Sequence, residues 1–460
     1  MQEIQRPAPL FINSTVRLRT NFLWMLAGNV VYAACQWGIL VVLAKLGTSE
    51  MVGQFALGLA VCAPVIIFAN LQLRNIQATD AACEYTAGDY LGLRLSTTAV
   101  ALLIIVAITF VANYRWQTML VIWGVALAKA VEAISDAFYG LLQRRENFPR
   151  MAKSMIIKGI ISLAALAVGV SLSGNVFWGV LALAMVWAGV LVGYDLPGAA
   201  RMLGSSLLEK PSSTFGIPGP DQLAQIRPHW NKTTQKALIK LTLPLGFVAS
   251  LVSLNLNLPR YFLERHFGEH QLGIYTAVTY LMMIGWTMVS ALGQAASPKL
   301  AVYYAAGRSR EYRGLLLQLI SVAIVAGLLG IVTARLAGHQ ILSLLYKPEY
   351  ADAANVFFWI MVASGISYIS SALTYGMMAA RYIFIQVPLF ILVSITTVIG
   401  CLLLIPSYGM LGAAWAVVIS SVVQVVASLS VVLHSIYSND HLIASDEPIN
   451  RDKLGLVHKV

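Results

Sequence analysis

Apolar stretches recur from one end of the chain to the other, separated by short polar segments. Each stretch is about 20 residues long, the length at which an α-helix crosses the hydrocarbon core of a bilayer. The pattern therefore predicts an all-α polytopic membrane protein. The twelve predicted spans are 22–44, 51–72, 91–112, 117–142, 155–173, 175–194, 237–258, 271–295, 313–335, 354–378, 383–405 and 411–433.

A proline-rich break divides these spans into two sets of six. Prolines 197, 211, 218, 220 and 228 occur there among Ser, Gly and Gln, a composition typical of a linker. The predicted organisation is a polar N-terminal segment at 1–20, a six-helix lobe at 21–195, a linker at 196–236, a second six-helix lobe at 237–433 and a tail at 434–460.

Composition and charge agree with a membrane protein and give its orientation. Only 11% of the residues are charged, against about 25% in soluble domains. With the N-terminus inside, 24 of the 31 Lys and Arg residues fall in inside segments, six fall in outside segments and Lys129 lies within a span. This is the positive-inside pattern, so we predict that both termini are cytoplasmic. The net charge of +11 is spread over many loops, which argues against a nucleic-acid partner.

The two halves contain similar groups of residues at similar positions. Since six helices separate equivalent spans, the halves are predicted to be parallel repeats around a central cavity. The matching groups are Tyr139, Gly140, Arg145 and Phe148 with Tyr375, Gly376, Arg381 and Phe384, and the turns at Leu46-Gly47 and Val52-Gly53 with those at Phe267-Gly268 and Leu272-Gly273.

The fourth predicted helix carries a charged face. At about 100° per residue, Lys129, Glu132 and Asp136 lie on one side of this helix. Lipid cannot solvate them, so they face other helices or water. Two interpretations remain open: a structural Lys129–Glu132 pair at i,i+3, or a cavity wall that binds an anion or relays protons.

Other spans carry milder polar stripes, whereas the third, fifth, sixth and eleventh look plainly apolar and suit a lipid-facing periphery. A single polar stripe indicates helix–helix hydrogen bonds as readily as a cavity. An arginine at a helix end either extends to the membrane surface or forks onto a phosphate. The further candidates for the cavity are Asn29, Gln36, Asn257 and Gln294, and the candidate phosphate-binding arginines are Arg74 and Arg260.

Several kinds of chemistry have no sequence support. The chain lacks a Walker lysine loop, and its seven histidines and four cysteines have no metal-ligand or redox spacing. We therefore predict no catalytic residues, no cofactor and no metal. A transporter of this kind would use an ion gradient, the membrane potential or the substrate gradient.

Long stretches of the sequence resemble the polysaccharide flippases of bacterial O-antigen and exopolysaccharide pathways, within the multidrug/oligosaccharidyl-lipid/polysaccharide exporter superfamily. The resemblance covers the chain from about Arg17 to Leu433. Its motifs are loose family patterns rather than catalytic signatures. They are VGQFALGLAVCAPVIIFANLQLRNIQATD followed by YLGLR, NLPRYFLERHFGEHQLGIYTAV, ALGQAASPKLAVYY and ILSLLYKPEYADAANVF.

The resemblance implies a V-shaped pair of lobes in the bacterial inner membrane. It also implies an undecaprenyl-diphosphate-linked oligosaccharide, flipped from the cytoplasmic to the periplasmic leaflet. By position, Arg74, Lys129 and Arg260 are the candidates to meet the diphosphate. A glycan polymerase and a chain-length regulator are possible partners, beside the membrane lipid. The related lipid II flippases have about fourteen spans, so twelve favour the O-antigen or exopolysaccharide branch.

Two alternatives remain at the sequence level. A multidrug antiporter of the same superfamily would favour organic cations and an acidic cavity, whereas the charge here is mixed. A membrane glycan polymerase or ligase would need a sizeable outside loop bearing catalytic groups, and the chain has no such loop.

Overall fold

A computed structural model describes residues 14–80, 84–204, 226–382 and 385–444. Helices and short turns account for all of this described part, and it contains no strand. The helices are α1 (Ser14–Leu46), α2 (Ser49–Asn70), α3 (Leu73–Thr79), α4 (Ala87–Val111), α5 (Trp116–Arg144), α6 (Phe148–Ser173), α7 (Val176–Val190), α8 (Leu196–Gly204), α9 (Lys232–Tyr280), α10 (Met282–Ala305), α11 (Ser309–Leu345), α12 (Pro348–Ala351), α13 (Ala354–Ala379) and α14 (Gln386–Ala444). A π-helix at Leu191–Asp195 joins α7 to α8.

Ten helical segments in the described part are long and apolar enough to cross a membrane. Two of them, Lys232–Ala305 and Gln386–Tyr437, have 74 and 52 residues and can cross twice. Left-handed glycines interrupt both, Gly268 with a φ of 76° and Gly409 with a φ of 54°. Each of the twelve predicted spans thus overlaps its own helical stretch, although the start of the eleventh, at 383–384, lies outside the described residues. The chain is a multi-pass membrane protein.

Helical structure enters the predicted linker from both ends. Helical structure continues through the π-helix and α8 to Gly204, and α9 already begins at Lys232. Pro197 suggested a helix end because proline cannot donate the i→i−4 hydrogen bond. The π-helix ends at Asp195, two residues before Pro197, and helical structure continues past the proline in α8. Of the remaining linker, 205–225 lies outside the described residues.

The predicted terminal segments also become shorter. Helix α1 begins at Ser14, inside the predicted polar segment 1–20. Helix α14 continues to Ala444, beyond the predicted start of the tail at 434. Boundaries of this kind are the least certain part of a sequence prediction, since the polar ends of a helix do not differ in composition from a loop.

The helices form two lobes, as predicted. Helices α1 to α8 pack among themselves, as do α9 to α14, and the main contact between the lobes runs along α2 and α9. Helix α11 lies at the periphery, where Leu328 and Leu329 are 56% and 64% exposed. Large apolar side chains are left exposed on such helices because lipid, rather than water, surrounds them.

The repeated Tyr-Gly groups lie at equivalent helix ends. After Tyr139-Gly140, the left-handed Glu146 ends α5, and the N–H of Asn147 donates to the carbonyl of Leu142 at 2.9 Å. After Tyr375-Gly376, the left-handed Arg381 ends α13, and Tyr382 donates to Met377 at 2.9 Å. Equivalent residues of the two turns are 235 positions apart in the sequence, one fewer than equivalent residues of the two Tyr-Gly pairs. The last predicted member, Phe384, lies outside the described residues.

The two repeated turns of the lobes contact each other. We call the end of the bundle next to residues 204 and 226 the linker end. The other end, which holds these two turns, is called the opposite end. A Cβ on Gly53 would collide with the carbonyl oxygen of Glu269, and a Cβ on Gly273 would collide with that of Ser49. Each carbonyl lies four residues before the glycine of its own lobe. The contact is therefore reciprocal, as expected for halves related by an approximate two-fold axis.

Side chains add further hydrogen bonds at the opposite end. The Ser49 hydroxyl lies 2.5 Å from Nδ1 of His270, and Gln54 donates to Glu269 at 2.9 Å. The Tyr346 hydroxyl, which lies between spans, donates to the carbonyl of Ala277 at 3.0 Å. Burial raises the pKa of Tyr346 to about 12, so its hydroxyl remains a donor at neutral pH. The Ser49–His270 and Gln54–Glu269 contacts join the two lobes at this end, whereas the Tyr346–Ala277 bond lies within the second lobe.

Candidate functional site

A polar cavity of about 400 Å³ lies between the lobes near the linker end. Its volume is within the range of small-molecule sites, but its wall is more polar than most. The side chains that line it are Met25, Asn29, Ile67, Asn70, Gln72, Arg74, Asn75, Asp136, Gln143 and Gln294. Six of these ten carry a carboxamide, which both donates and accepts hydrogen bonds. Such a wall suits a ligand rich in hydroxyl groups.

Asp136 is held between two arginines at the wall of this cavity. Its Oδ1 lies 3.1 Å from Nη1 of Arg74, and its Oδ2 lies 3.1 Å from Nη2 of Arg94. The side chains of Arg74 and Asp136 are 28% and 25% exposed, whereas that of Arg94 is fully buried. The three groups carry a net charge of +1, and only Arg74 and Asp136 reach the cavity.

Arg74 is oriented by several neighbours. Its Nε donates to Oε1 of Gln143 at 3.2 Å, and its guanidinium lies 5.7 Å from the ring centre of Tyr139. Its Nη2 is directed at the sulfur of Met151 at 3.4 Å, a weak acceptor. The left-handed turn at Leu71 and Gln72 separates α2 from α3 and directs Arg74 toward α5. Arg74 thus retains donor capacity toward the cavity.

Lys129 and Glu132 form the i,i+3 ion pair that the sequence suggested. Their Nζ and Oε2 atoms are 2.7 Å apart, and the side chains are 26% and 30% exposed. The hydroxyl of Tyr32 also donates to Glu132, and the ammonium group lies 5.5 Å from the ring centre of Trp187. Neither residue lines the cavity described above. The structural interpretation of this pair accounts for its contacts, while a role in transport stays a prediction.

A second ion pair lies within the first lobe, where the sequence gave no candidate. Lys158 of α6 lies 2.6 Å from Oδ2 of Asp195, and their side chains are 3% and 0% exposed. Ser154 donates to the same carboxylate at 2.5 Å, and Lys158 donates to the Tyr139 hydroxyl at 3.1 Å. Asp195 is the last residue of the π-helix, a rare element that often marks functional sites.

The predicted candidates therefore separate into two groups. Four of them, Asn29, Arg74, Asp136 and Gln294, line the cavity. The other five do not: Gln36, Lys129, Glu132, Asn257 and Arg260. Their binding and coupling roles stay predictions in both groups.

Arg260 and Asn257 interact mainly with their own helix. Nη1 of Arg260 donates to Oδ1 of Asn257 at 3.0 Å, and Asn257 donates to the carbonyl of Ser253 at 2.8 Å. The guanidinium also lies 5.7 Å from the ring centre of Tyr280. These contacts agree with the interpretation of polar stripes as hydrogen bonding within and between helices.

The prediction that the third and fifth spans are plainly apolar is wrong. The third span contains the buried Arg94, the fifth contains Lys158, and Asp195 ends the π-helix that continues the sixth. The sequence did contain a sign of this ion pair. An arginine in the apolar stretch around YLGLR needs an ion-pair or hydrogen-bond partner, because lipid cannot solvate its charge. The partners could not be found by periodicity, since Arg94 and Asp136 are 42 residues apart on different helices.

Comparisons with known proteins place this geometry in context. No family model matches the chain. A capsular polysaccharide biosynthesis protein, CapF of Staphylococcus aureus, is 28% identical over 411 residues, covering 88% of this chain and 97% of its own length.

Two solved structures show the fold. An inward-facing multidrug resistance MATE transporter of the MOP superfamily matches with a TM-score of 0.69 and 12% identity, over 92% of this chain and all of its own. The lipid II flippase MurJ in an inward closed conformation matches with a TM-score of 0.62 and 11% identity, over 95% of this chain and 94% of its own. The chain thus has the two-lobed, all-α fold of the MOP superfamily transporters, the superfamily that includes the flippases its sequence resembles.

Proposed function

We propose that this protein flips a polyprenyl-diphosphate-linked oligosaccharide between the leaflets of a bacterial inner membrane by alternating access. The observation that carries the proposal is the cavity between the lobes, with an amide-rich wall and the guanidinium of Arg74. Amides suit sugar hydroxyls, and a guanidinium forks onto phosphate. The likeness of the chain to a capsular polysaccharide biosynthesis protein and to a lipid II flippase supports this substrate class.

The proposed direction follows from the charges of the loops. Twenty-four of the 31 Lys and Arg residues lie on the side that includes the linker, which the positive-inside rule assigns to the cytoplasm. Both termini are cytoplasmic on this assignment. The cavity then loads from the cytoplasmic side, and the contacts at the opposite end close the periplasmic side. An ion gradient or the membrane potential drives the cycle, and a glycan polymerase and a chain-length regulator receive the exported glycan.

A multidrug antiporter is the alternative that the MATE likeness favours. An organic cation would need an unpaired carboxylate at depth. Asp136 and Glu132 are instead paired with Arg74, Arg94 and Lys129. The mixed charge therefore supports an anionic substrate over a cationic one. A glycan polymerase or ligase fits less well, since both structural relatives named above are transporters.

The test is transport of a fluorescent lipid-linked oligosaccharide by purified protein in liposomes. We expect Arg74→Gln to lower the initial rate roughly tenfold or more, because hydrogen bonds between charged groups contribute about 1.5–3 kcal/mol. The matched control is Arg310→Gln, which removes an exposed arginine at the same end of the bundle. Transport of an organic cation but not of the glycolipid would instead establish the antiporter.

Lys129 was a second phosphate candidate, and the same assay decides its role. If Lys129 meets the diphosphate in the course of transport, Lys129→Ala impairs export while the protein stays folded. Wild-type rates in an Arg74→Ala, Lys129→Ala double variant would refute the proposal that either residue binds the substrate.

A further inference from the structure

A site that binds phosphate through cationic side chains alone does not need a carboxylate at the position of Asp136. A cavity that binds phosphate through Arg74 would bind it more tightly without a carboxylate 3.1 Å from the same guanidinium. The carboxylate nevertheless lines the cavity beside Arg74 and is partly exposed. Its other oxygen contacts Arg94, whose side chain is fully buried.

The two arginines differ in what they can offer a ligand. Arg94 does not line the cavity, and its Nη1 already donates to Asn70. It therefore holds Asp136 in place from behind. Arg74 faces the cavity, and within the described residues the Met151 thioether is the acceptor recorded for its Nη2. An arriving anion can contact Arg74 while Asp136 keeps its ion pair with Arg94.

We propose that Asp136 is a positioning residue that stands in for the phosphate of the substrate in the empty cavity and is displaced from Arg74 when a diphosphate binds. The inference rests on the proposed function. Asp136 pairs with both Arg74 and Arg94 when the cavity is empty, which lowers the net charge of the two arginines from +2 to +1 in a low-dielectric site. It also competes with the bound anion, which limits affinity and lets the anion leave.

Binding by isothermal titration calorimetry tests this competition. The probes are inorganic pyrophosphate and undecaprenyl diphosphate, added to the full-length protein in detergent micelles. We expect Asp136→Asn to bind undecaprenyl diphosphate about tenfold more tightly than the wild type, because the competing charge is removed while the shape is kept. Asp352→Asn is the matched control, since it removes an exposed carboxylate outside the cavity. Adding Arg74→Gln to Asp136→Asn should abolish the gain.

Transport kinetics provide a readout that a purely structural role would not move. We expect Asp136→Asn to lower the half-saturating substrate concentration and to lower kcat, because the bound anion is released more slowly. A loss of folding would lower the amount of active protein without lowering the half-saturating concentration. Should Asp136→Asn fail to fold because Arg94 loses its partner, the double variant Arg94→Met, Asp136→Asn removes the buried guanidinium together with the carboxylate and keeps Arg74. This double variant is also expected to bind more tightly.

The outcomes separate the two proposals. Arg74-dependent binding that is unchanged or weaker in both Asp136 variants would overturn the role of Asp136 and leave the proposed function intact. An absence of binding of either probe to any of these proteins would overturn both. If pyrophosphate binds more tightly to Asp136→Asn but undecaprenyl diphosphate binds to no protein, Asp136 competes with an anion that is not lipid-linked, and the proposed function is wrong.

Discussion

At the scale of single residues, Lys158 and Asp195 are the most deeply buried charges of the first lobe that form a pair. Besides the pair itself, Asp195 accepts from Ser154 and Lys158 donates to Tyr139, and these bonds offset part of the cost of removing two charges from water or lipid headgroups. Tyr139 contacts this pair through its hydroxyl and Arg74 through its ring. A single side chain thereby connects the interior of the lobe with the wall of the cavity.

We predict that breaking this pair is much more costly than removing it. Lys158→Met or Asp195→Asn alone leaves a buried charge without its partner, which should lower stability by about 3–5 kcal/mol. The double variant Lys158→Met, Asp195→Asn leaves no charge and should lie within about 1–2 kcal/mol of the wild type. Chemical denaturation in detergent, followed by tryptophan fluorescence, measures all three. A loss in the double variant equal to the sum of the two single losses would mean that the two side chains contribute independently of their pairing.

At the scale of helices, the lobes meet where small residues allow it. Gly53 of α2 and Gly273 of α9 bring the two backbones into direct contact, as small residues do at helix crossings in membranes. Gly268 matters for a different reason, since its φ of 76° lies in the left-handed region, which residues with a Cβ rarely adopt. Gly174, which ends α6, lies in the same left-handed region, with a φ of 63°.

We predict that Gly53→Ala separates the lobes at the opposite end. The new methyl group would meet the backbone of Glu269, which cannot move aside as a flexible side chain could. Thr118, which is buried and donates to Glu269, reports on the separation. In a Thr118→Cys background without the native cysteines, a membrane-impermeant maleimide should label Gly53→Ala faster than the parent.

The control for this experiment is Gly189→Ala. Gly189 also lies within a helix, but a Cβ there meets nothing within 4 Å in the described structure. It should leave both labelling and thermal stability unchanged. Equal labelling of the Gly53 and Gly189 variants would show that the glycine contact does not hold the lobes together.

At the scale of the whole molecule, the cavity is asymmetric although the lobes are repeats. Nine of its ten lining residues come from the first lobe, and Gln294 is the only one from the second. The polar stripes of the second lobe are used elsewhere, for example Ser367 with Ser421 at 2.9 Å and Tyr375 with the carbonyl of Ser290 at 3.3 Å. The first lobe thus provides most of the wall of the cavity.

The sequence predicts the membrane-spanning helices, but it does not predict which of their polar faces form the cavity. Twelve spans and two lobes follow from hydrophobic length and the proline-rich break, because the bilayer imposes both the length and the composition of a helix. The cavity depends on which polar faces of distant helices meet. A period of 3.6 residues shows which residues share a helix face, but it does not show which other helix packs against that face. Asp136 was found on its face, yet its partner Arg94 was not among the predicted candidates. Asn257 was found in the same way and bonds within its own helix.

Transport by alternating access requires the opposite end to open once in each cycle, and this can be tested by locking it. Ser49 and His270 belong to different lobes and lie 2.5 Å apart through their side chains. In a background without the four native cysteines, Ser49→Cys, His270→Cys should form a disulfide on oxidation. We predict that the oxidised protein loses glycolipid transport and regains it on reduction, while undecaprenyl diphosphate still binds because the cavity lies near the linker end.

Ser49→Cys alone, treated with the same oxidant, is the control for damage by oxidation. Its transport should not change, since a single thiol cannot form the bridge. If the oxidised double variant still transported the glycolipid at the rate of the reduced protein, the lobes would not need to separate at this end. The substrate would then have to leave by another path, and the contacts of Gly53 and Gly273 would be a permanent interface rather than one that opens in each cycle.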